Sequence, residues 1–344
     1  MKAVYLEAHG NNDVLKHGEL PDPKAGPGEV LVRLEAAAMN RLDLFVRHGM
    51  PGLPLSFPHV PGADGYGHVE AVGEGVTGVV PGEKVVLQPG LGDGICEFCR
   101  AGDLSLCVDF KILGEHVPGT FAERISVPRA NVFRAPAILT PEKAAAFPLA
   151  ALTAWRMLVT RAALKPGETV LIHGIGGGVS TFALQIARLC GAAHVIVTSS
   201  SEEKRRRAEA LGADIVLDYT KVDVGKKVRE LTNKRGVDVV VDSVGQATWR
   251  SSLTAAAKKG RIVTCGATSG PNPEEEIRII FWKQLSILGS TMGNDSEFTA
   301  MLAAVAAGRL DPIVDEIYPL SDVKLGYERL EKGEGFGKVV FRIG

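Results

Sequence analysis

Cysteine is scarce in this chain, five in 344 residues, and its placement says more than its number. Cys96, Cys99 and Cys107 fall within a dozen positions, while Cys190 and Cys265 stand alone. Such a set excludes a disulfide framework and leads us to expect reduced thiols and a cytoplasmic location. Charge imbalance is absent too. There are 39 basic against 40 acidic residues, a net charge of −1, so no basic field points to nucleic acid or a membrane surface. The chain does not open with a charged segment followed by an apolar one, so no secretory leader is expected. Long apolar runs are also missing. The greasiest stretch, AAAFPLAALTAWRMLV, is interrupted by Arg156 and falls short of a membrane span. What remains has ordinary hydrophobic content and is too long for one core, which suggests two domains.

The two halves have different grammar. Residues 1–135 hold short strands broken by Gly and Pro, among them EVLVRLEAAAMN, GYGHVEAVGEGV, GEKVVLQPG and GTFAERISVPRANVFRAP. That pattern predicts an all-β, barrel-like domain. From Thr140 the pattern changes. TPEKAAAFPLAALTAWRMLV predicts one helix, capped by Thr140 with Pro141 at its first position. Strands then alternate with helices: ETVLIHG, HVIVTS, DIVLDY, VDVVVDSVG, GRIVTCGA and LSILGS are the strands. Apolar, β-branched strands alternating with helices predict a parallel six-stranded, doubly wound sheet. LSILGS should be its edge. An apolar edge invites pairing with a second copy, so a homodimer or homotetramer is expected.

VLIHGIGGGVSTFALQIA joins the first of these strands to an amphipathic helix. A glycine-rich turn could merely connect the two. Set between strand and helix, it predicts dinucleotide binding, with Gly174, Gly176, Gly177 and Gly178 letting the backbone approach a pyrophosphate and Val179 opening the helix N-terminus. Ser180 takes the place usually held by a close-packing glycine. The next strand ends at Ser199, where an NAD-preferring site places a carboxylate for the ribose 2′-hydroxyl. Ser199 and Ser200 can donate to a 2′-phosphate, and Lys204 or Arg205 can neutralise it. The basic run could equally be a solvated helix face diluted by Glu202 and Glu203. NADP is the expected cofactor, with NAD possible.

The spacing C-x2-C-x7-C asks for a metal. It sits in a chain that, over essentially its whole length, resembles the medium-chain dehydrogenase/reductase superfamily. The resemblance rests on the strand-rich N-terminal half, HGIGGGVS, ILGEHVPGTFAE, LSILGSTMG and the terminal FGKVVF. It implies a GroES-like domain of residues 1–150 and 293–344, with a zinc lobe near 91–110, and a Rossmann domain of residues 151–292. It also implies that Thr153, Ser243, Val244, Gly245, Gly266, Ala267, Ser290, Thr291, Met292 and Lys338 approach the cofactor. In zinc-dependent alcohol dehydrogenases of this superfamily a four-cysteine lobe holds a structural zinc. By that resemblance Asp93, Cys96, Cys99 and Cys107 take the four places, and a carboxylate with three thiolates makes a closed tetrahedral site. A metal-free relic or loose redox thiols are the alternatives.

The same relatives hold a catalytic zinc. Their three ligand positions fall here on Asn40, Ala63 and Leu149, and their proton-relay positions on Phe45 and Leu42. MNRLD and PGADGYG instead look like the zinc-free quinone oxidoreductase and enone reductase branch. The resemblance therefore implies an oxidoreductase that passes hydride from NAD(P)H to an enone or quinone, a small-molecule substrate, without catalytic zinc. Asn40 is the candidate polarising group, and Asp43 and Asp64 are candidates that hold the site together. A zinc alcohol dehydrogenase with unusual ligands, such as His48, His59 or His116, is one alternative. A non-catalytic NADPH-binding protein is another.

Overall fold

The computed structural model describes residues 1–344. The chain divides into two compact units, Met1–Ala150 with Gly293–Gly344, and Ala151–Met292. No helix is long and apolar enough to cross a membrane.

The first unit is built around one strand, Glu29–Ala38. It is buried continuously at Val30, Leu31 and Val32, exposes Arg33, and is buried again at Ala36, Ala37 and Ala38, because both of its faces are covered there. It pairs antiparallel with Asp64–Val72, Arg124–Pro128 and Lys338–Arg342. Strands Lys84–Leu87, Val132–Arg134 and Val314–Pro319 extend this sheet to seven strands, and Lys2–Leu6 with Leu15–Glu19 forms a separate hairpin. Val30, Val32, Leu34, Val69, Val85, Phe121 and Phe341 are among the residues of its core. The rings of Phe121 and Phe341 meet edge-on at 5.1 Å, so the C-terminal strand is packed into the barrel as well as hydrogen-bonded to it.

The second unit is a six-stranded parallel sheet in the order Ile215–Leu217, His194–Thr198, Thr169–Ile172, Val237–Asp242, Ala256–Thr264, Ser286–Gly289. Numbered along the unit, this is 3-2-1-4-5-6, the doubly wound dinucleotide order, with its switch point beside the strand that precedes HGIGGG. Ser286–Gly289 pairs on one side only.

Three local expectations need correction. The single helix expected from Thr140 is three pieces: Pro141–Ala145, Pro148–Trp155 and a wider turn at Arg156–Arg161. Pro148 has no N–H to continue the first piece. The fifth strand begins at Ala256, so the helix before it ends at Ala255. Pairing with Val237 recruits the AAKKG segment against its helical propensity. A helix at Ile277–Lys283 was not anticipated. Ile277, Phe281 and Trp282 on it are exposed, so its apolar residues give no core-facing period.

Candidate functional site

Strand register assembles a buried polar cluster in the first unit. Ala38 pairs with Asp64 on one side and Val340 on the other. Continuing the second pairing by two residues sets Lys338 opposite Asn40, and Met39 N–H donates to Val339 between them at 2.9 Å. The Lys338 ammonium donates to Asn40 Oδ1 and, at 2.9 Å, to Asp64 Oδ2. Asn40 Nδ2 donates to the same Asp64 oxygen at 2.9 Å, and the Leu149 amide donates to Asp64 Oδ1 at 2.7 Å. Asn40 also starts the helix Arg41–His48, where its N–H donates to Asp43 Oδ2 at 2.7 Å; the other Asp43 oxygen accepts from Gly62 N–H at 3.0 Å. All four side chains are buried, Asp64 completely.

Burial pushes the Asp43 carboxyl up to about 7 against the opposing pull of the Asn40 and Gly62 amides and the Lys338 charge. Glu115 belongs to the turn from Leu113 to Thr120, which is docked on the Gly62 loop by Gly119 N–H to Val60, Thr120 N–H to Gly62, and Thr120 Oγ1 to the Asp64 carbonyl. Burial first, then the Asp43 charge, raises Glu115 to about 7 as well. Ala63 and Leu149 are buried and bring only hydrocarbon from their side chains. The three histidines weighed as unusual ligands are engaged separately. His59 Nε2 bonds the Gly114 carbonyl, His116 Nδ1 accepts from Ile112 N–H, and His48 lies against Arg47 and Glu331.

One group of side chains converges closely enough to share an ion. The ligand atoms of Asp93, Cys96, Cys99 and Cys107 all lie within 4.8 Å of one another. Amides already point at the would-be anions: Asp93 N–H and Asp109 N–H donate to Cys107 Sγ, and Cys99 N–H to Cys96 Sγ. Amides of Cys96 and Ile95 hold the Asp93 carboxyl well below the usual carboxylate range. Gly92 lets this lobe close, since a Cβ there would come within 2.4 Å of Leu104 and 3.0 Å of Cys99 Sγ. A hard-plus-soft donor set of this kind fits a four-coordinate zinc with no open position.

In the second unit Gly174 and Gly176 have φ of +66° and +129°, which turns the chain sharply after Ile172. Gly177 precedes the helix Gly178–Leu189, which has no side-chain cap, so the first-turn amides at Gly178 and Val179 face outward for an anion. Ser180 does more than fit. Its hydroxyl accepts from Gly176 N–H at 3.2 Å and lies 3.1 and 3.0 Å from the Gly174 and Gly177 carbonyls, bracing the turn. The residues fit a dinucleotide.

Ser199 is buried, and its Oγ accepts from Ser201 N–H; Ser200 is exposed and accepts from Tyr219 Oη at 3.0 Å. Arg205 is committed elsewhere, to the Ser199 carbonyl and to Asp218 at 3.1 Å, while the Lys204 amide caps on Ser201. Thr153 and Met292 meet, Thr153 Oγ1 lying 3.8 Å from Met292 Sδ. The loop from Ser243 and Val244 is tied to the segment after Gly266 and Ala267 by Ser269 N–H to the Val244 carbonyl at 2.8 Å. Ser290 N–H bonds Thr264, and its buried hydroxyl has no partner within the protein; Thr291 follows it, exposed.

Lys338, expected among the residues approaching the cofactor, donates from its ammonium to Asn40 and Asp64. The only sequence signal of this was a lone cation entering the apolar strand GKVVF. Tyr219 and Glu115 were also missed, and no spacing rule marks either.

Two family models match the chain: an alcohol dehydrogenase GroES-like domain over residues 26–137 and a zinc-binding dehydrogenase over residues 178–307. The chain is 38% identical over 342 residues to a zinc-type alcohol dehydrogenase-like protein of Schizosaccharomyces pombe, covering 96% of each. It is 33% identical to an acryloyl-coenzyme A reductase of Metallosphaera sedula, covering 99% of each. A crystal structure of an NAD-dependent alcohol dehydrogenase superposes over the full length of both chains with a TM-score of 0.96 at 48% identity. With the barrel, the 3-2-1-4-5-6 sheet and full-length likeness in agreement, the chain belongs to the medium-chain dehydrogenase/reductase superfamily and is an oxidoreductase of it.

Proposed function

We propose that this enzyme reduces the activated C=C of an enone, or a quinone, with NADPH as the preferred reductant and without a catalytic zinc. One observation carries the reading. The positions that resemblance assigns to catalytic zinc ligands hold Asn40, Ala63 and Leu149, with no thiolate or imidazole among them; the Asn40 side chain and the Leu149 amide donate to Asp64, and Ala63 is a buried methyl. Alkoxide formation near neutral pH depends on a Lewis acid, whereas conjugate reduction needs only donors for the oxygen that becomes an enolate. The name of the Metallosphaera sedula relative, which describes reduction of acryloyl-coenzyme A, supports the same reaction class.

The reduced nicotinamide, when bound, supplies the hydride. The chain's own residues do the rest. The Gly178 and Val179 amides hold the pyrophosphate. Ser199, Ser200, Tyr219 and Lys204 receive the 2′-phosphate, where a carboxylate would repel it. Thr153, Ser243, Val244, Gly266, Ala267, Ser290, Thr291 and Met292 border the nicotinamide half. Asp93, Cys96, Cys99 and Cys107 hold one structural zinc, which braces a loop and takes no part in the chemistry.

A second reading, oxidation of alcohols, is favoured by the name of the 48% identical structural relative. Comparing kcat/KM for 2-cyclohexenone with that for cyclohexanone, NADPH as reductant, tests the two. Preference for the enone supports conjugate reduction; preference for the saturated ketone, abolished by a chelator, supports the second reading.

A further inference from the structure

Resting on the reading that a 2′-phosphate is received at Ser199, we infer that Asp218 sets how strongly this chain prefers NADPH: by holding Arg205 against the Ser199 carbonyl, it withholds a guanidinium from that phosphate. The inference starts from register, and all of its residues lie in the second unit. Thr198 pairs with Leu217 on the neighbouring strand, and Ser199 N–H donates to the Leu217 carbonyl at 3.0 Å. Asp218 and Tyr219 therefore leave their strand beside Ser199 and Ser200, and Tyr219, whose ring is exposed, donates from Oη to Ser200 Oγ at 3.0 Å. The helix Glu202–Ala210, which carries Lys204 and Arg205, starts at the same end of the sheet.

A carboxylate is thus present at this level, one strand away from the position where Ser199 lacks one. It is fully occupied. Asp218 Oδ1 accepts from the Thr220 amide at 3.0 Å and from the Thr220 hydroxyl at 2.6 Å. Its Oδ2 lies 3.1 Å from Arg205 Nη1 and 3.5 Å from Lys221 Nζ. The Thr220 hydroxyl first, then the Thr220 amide, Arg205 and Lys221, hold this carboxyl below the usual carboxylate range, so it stays charged.

The same Arg205 Nη1 donates to the Ser199 carbonyl at 2.7 Å. Arg205 therefore stands next to the residue that receives the phosphate, with its charge already matched. The two side chains are 14% and 12% exposed, so water screens their attraction little. Paired with a carboxylate, a guanidinium presents a dipole. Released, it presents a full charge and a planar fork that fits a phosphate in two parallel hydrogen bonds. Asp218 also carries the same sign as the incoming phosphate. Removing its charge without its shape frees Arg205 for that phosphate. A cofactor lacking the phosphate gains nothing, since the new contact is to the phosphate alone.

The test measures binding of 2′,5′-ADP and of 5′-AMP to the whole chain by titration calorimetry, which needs no turnover. Asp218→Asn keeps an oxygen for the Thr220 donors. It should bind 2′,5′-ADP about tenfold or more tighter than wild type, the worth of one hydrogen bond to a charged group, with 5′-AMP affinity unchanged. Arg205→Ala added to Asp218→Asn should return 2′,5′-ADP affinity to the wild-type level. Asp218→Ser, with thermal unfolding of every variant, guards against a defect in the Thr220 turn. The inference fails if the folded Asp218 variants bind 2′,5′-ADP no tighter, or if the gain survives Arg205→Ala. It fails too if the double variant falls well below wild type, for Arg205 would then already be a phosphate ligand. Equal wild-type affinity for the two nucleotides overturns the NADPH reading; a gain in Asp218→Asn that depends on Arg205 upholds the role of Asp218 even then.

Discussion

Lys338 Nζ lies 2.9 Å from Asp64 Oδ2, and the two side chains are 3% and 0% exposed. Breaking one half of such a pair leaves a buried charge with no counter-charge. Lys338→Met alone should lower unfolding stability by about 3–5 kcal/mol, and adding Asp64→Asn should recover most of the loss. Urea titrations of the three proteins followed by circular dichroism check this. Equal stability of single and double variants would show that the pair is not coupled.

Elemental analysis of purified protein should give about one zinc per chain, as one closed four-ligand site implies. Cys107→Ser should lose it and Asp93→Cys should keep it, since both carboxylate and thiolate serve zinc. Removing the metal should lower the thermal midpoint without altering the residual enone kcat measured below it. Two zinc per chain would contradict the metal-free reading of the Asn40 cluster.

Wild-type protein should favour NADPH over NADH in kcat/KM by about tenfold to a hundredfold, because no carboxylate stands at Ser199 to repel a 2′-phosphate. Ser199→Asp should reverse the preference. Tyr219→Phe removes the hydroxyl that bonds Ser200 and should weaken NADPH binding while leaving NADH unaffected. A wild-type preference for NADH would sink the assignment.

The strand Ser286–Gly289 is paired on one side only, and the preceding helix exposes Phe281 at 60% and Trp282 at 78%. An apolar open edge beside exposed aromatics suits pairing with a second copy. We expect at least a homodimer by light scattering at micromolar concentration. Ile287→Lys with Trp282→Glu should yield monomers. A monomeric wild type refutes the edge pairing.

Glu115 titrates near 7 when folded, against an ordinary value of 4.5. The folded state therefore binds the proton more tightly than the unfolded one between these values. The stability this adds is present in full below about pH 4.5 and is lost as pH rises through 7. Glu115→Gln should flatten the stability profile across that window and raise stability at pH 8 by up to about 3 kcal/mol. Asp43, shifted the same way, should leave a residual slope. Urea midpoints from pH 5 to pH 8 decide the matter.

Much of the fold and of each local site was legible in the sequence, for reasons that are themselves local. The six strands of the parallel sheet announce themselves as β-branched runs between helices. Gly174 and Gly176 mark a turn because few other residues adopt their φ, and the lobe ligands lie within fifteen residues, so their spacing alone says that they converge. Helix ends were less legible: Pro148 divided an apparently continuous helix, and pairing with Val237 overrode the propensity of AAKKG.

By itself, the sequence determined a glycine-rich turn between a strand and a helix and the close spacing of Asp93, Cys96, Cys99 and Cys107. Only the tertiary structure decided which distant side chains meet. Asn40, Asp64 and Lys338 come from three strand ends as much as 298 residues apart. Nothing in their neighbours encodes the meeting, because strand register is set by the fit of whole strands, through core packing at Val32, Phe121 and Phe341, and not by the residues that the register happens to bring together.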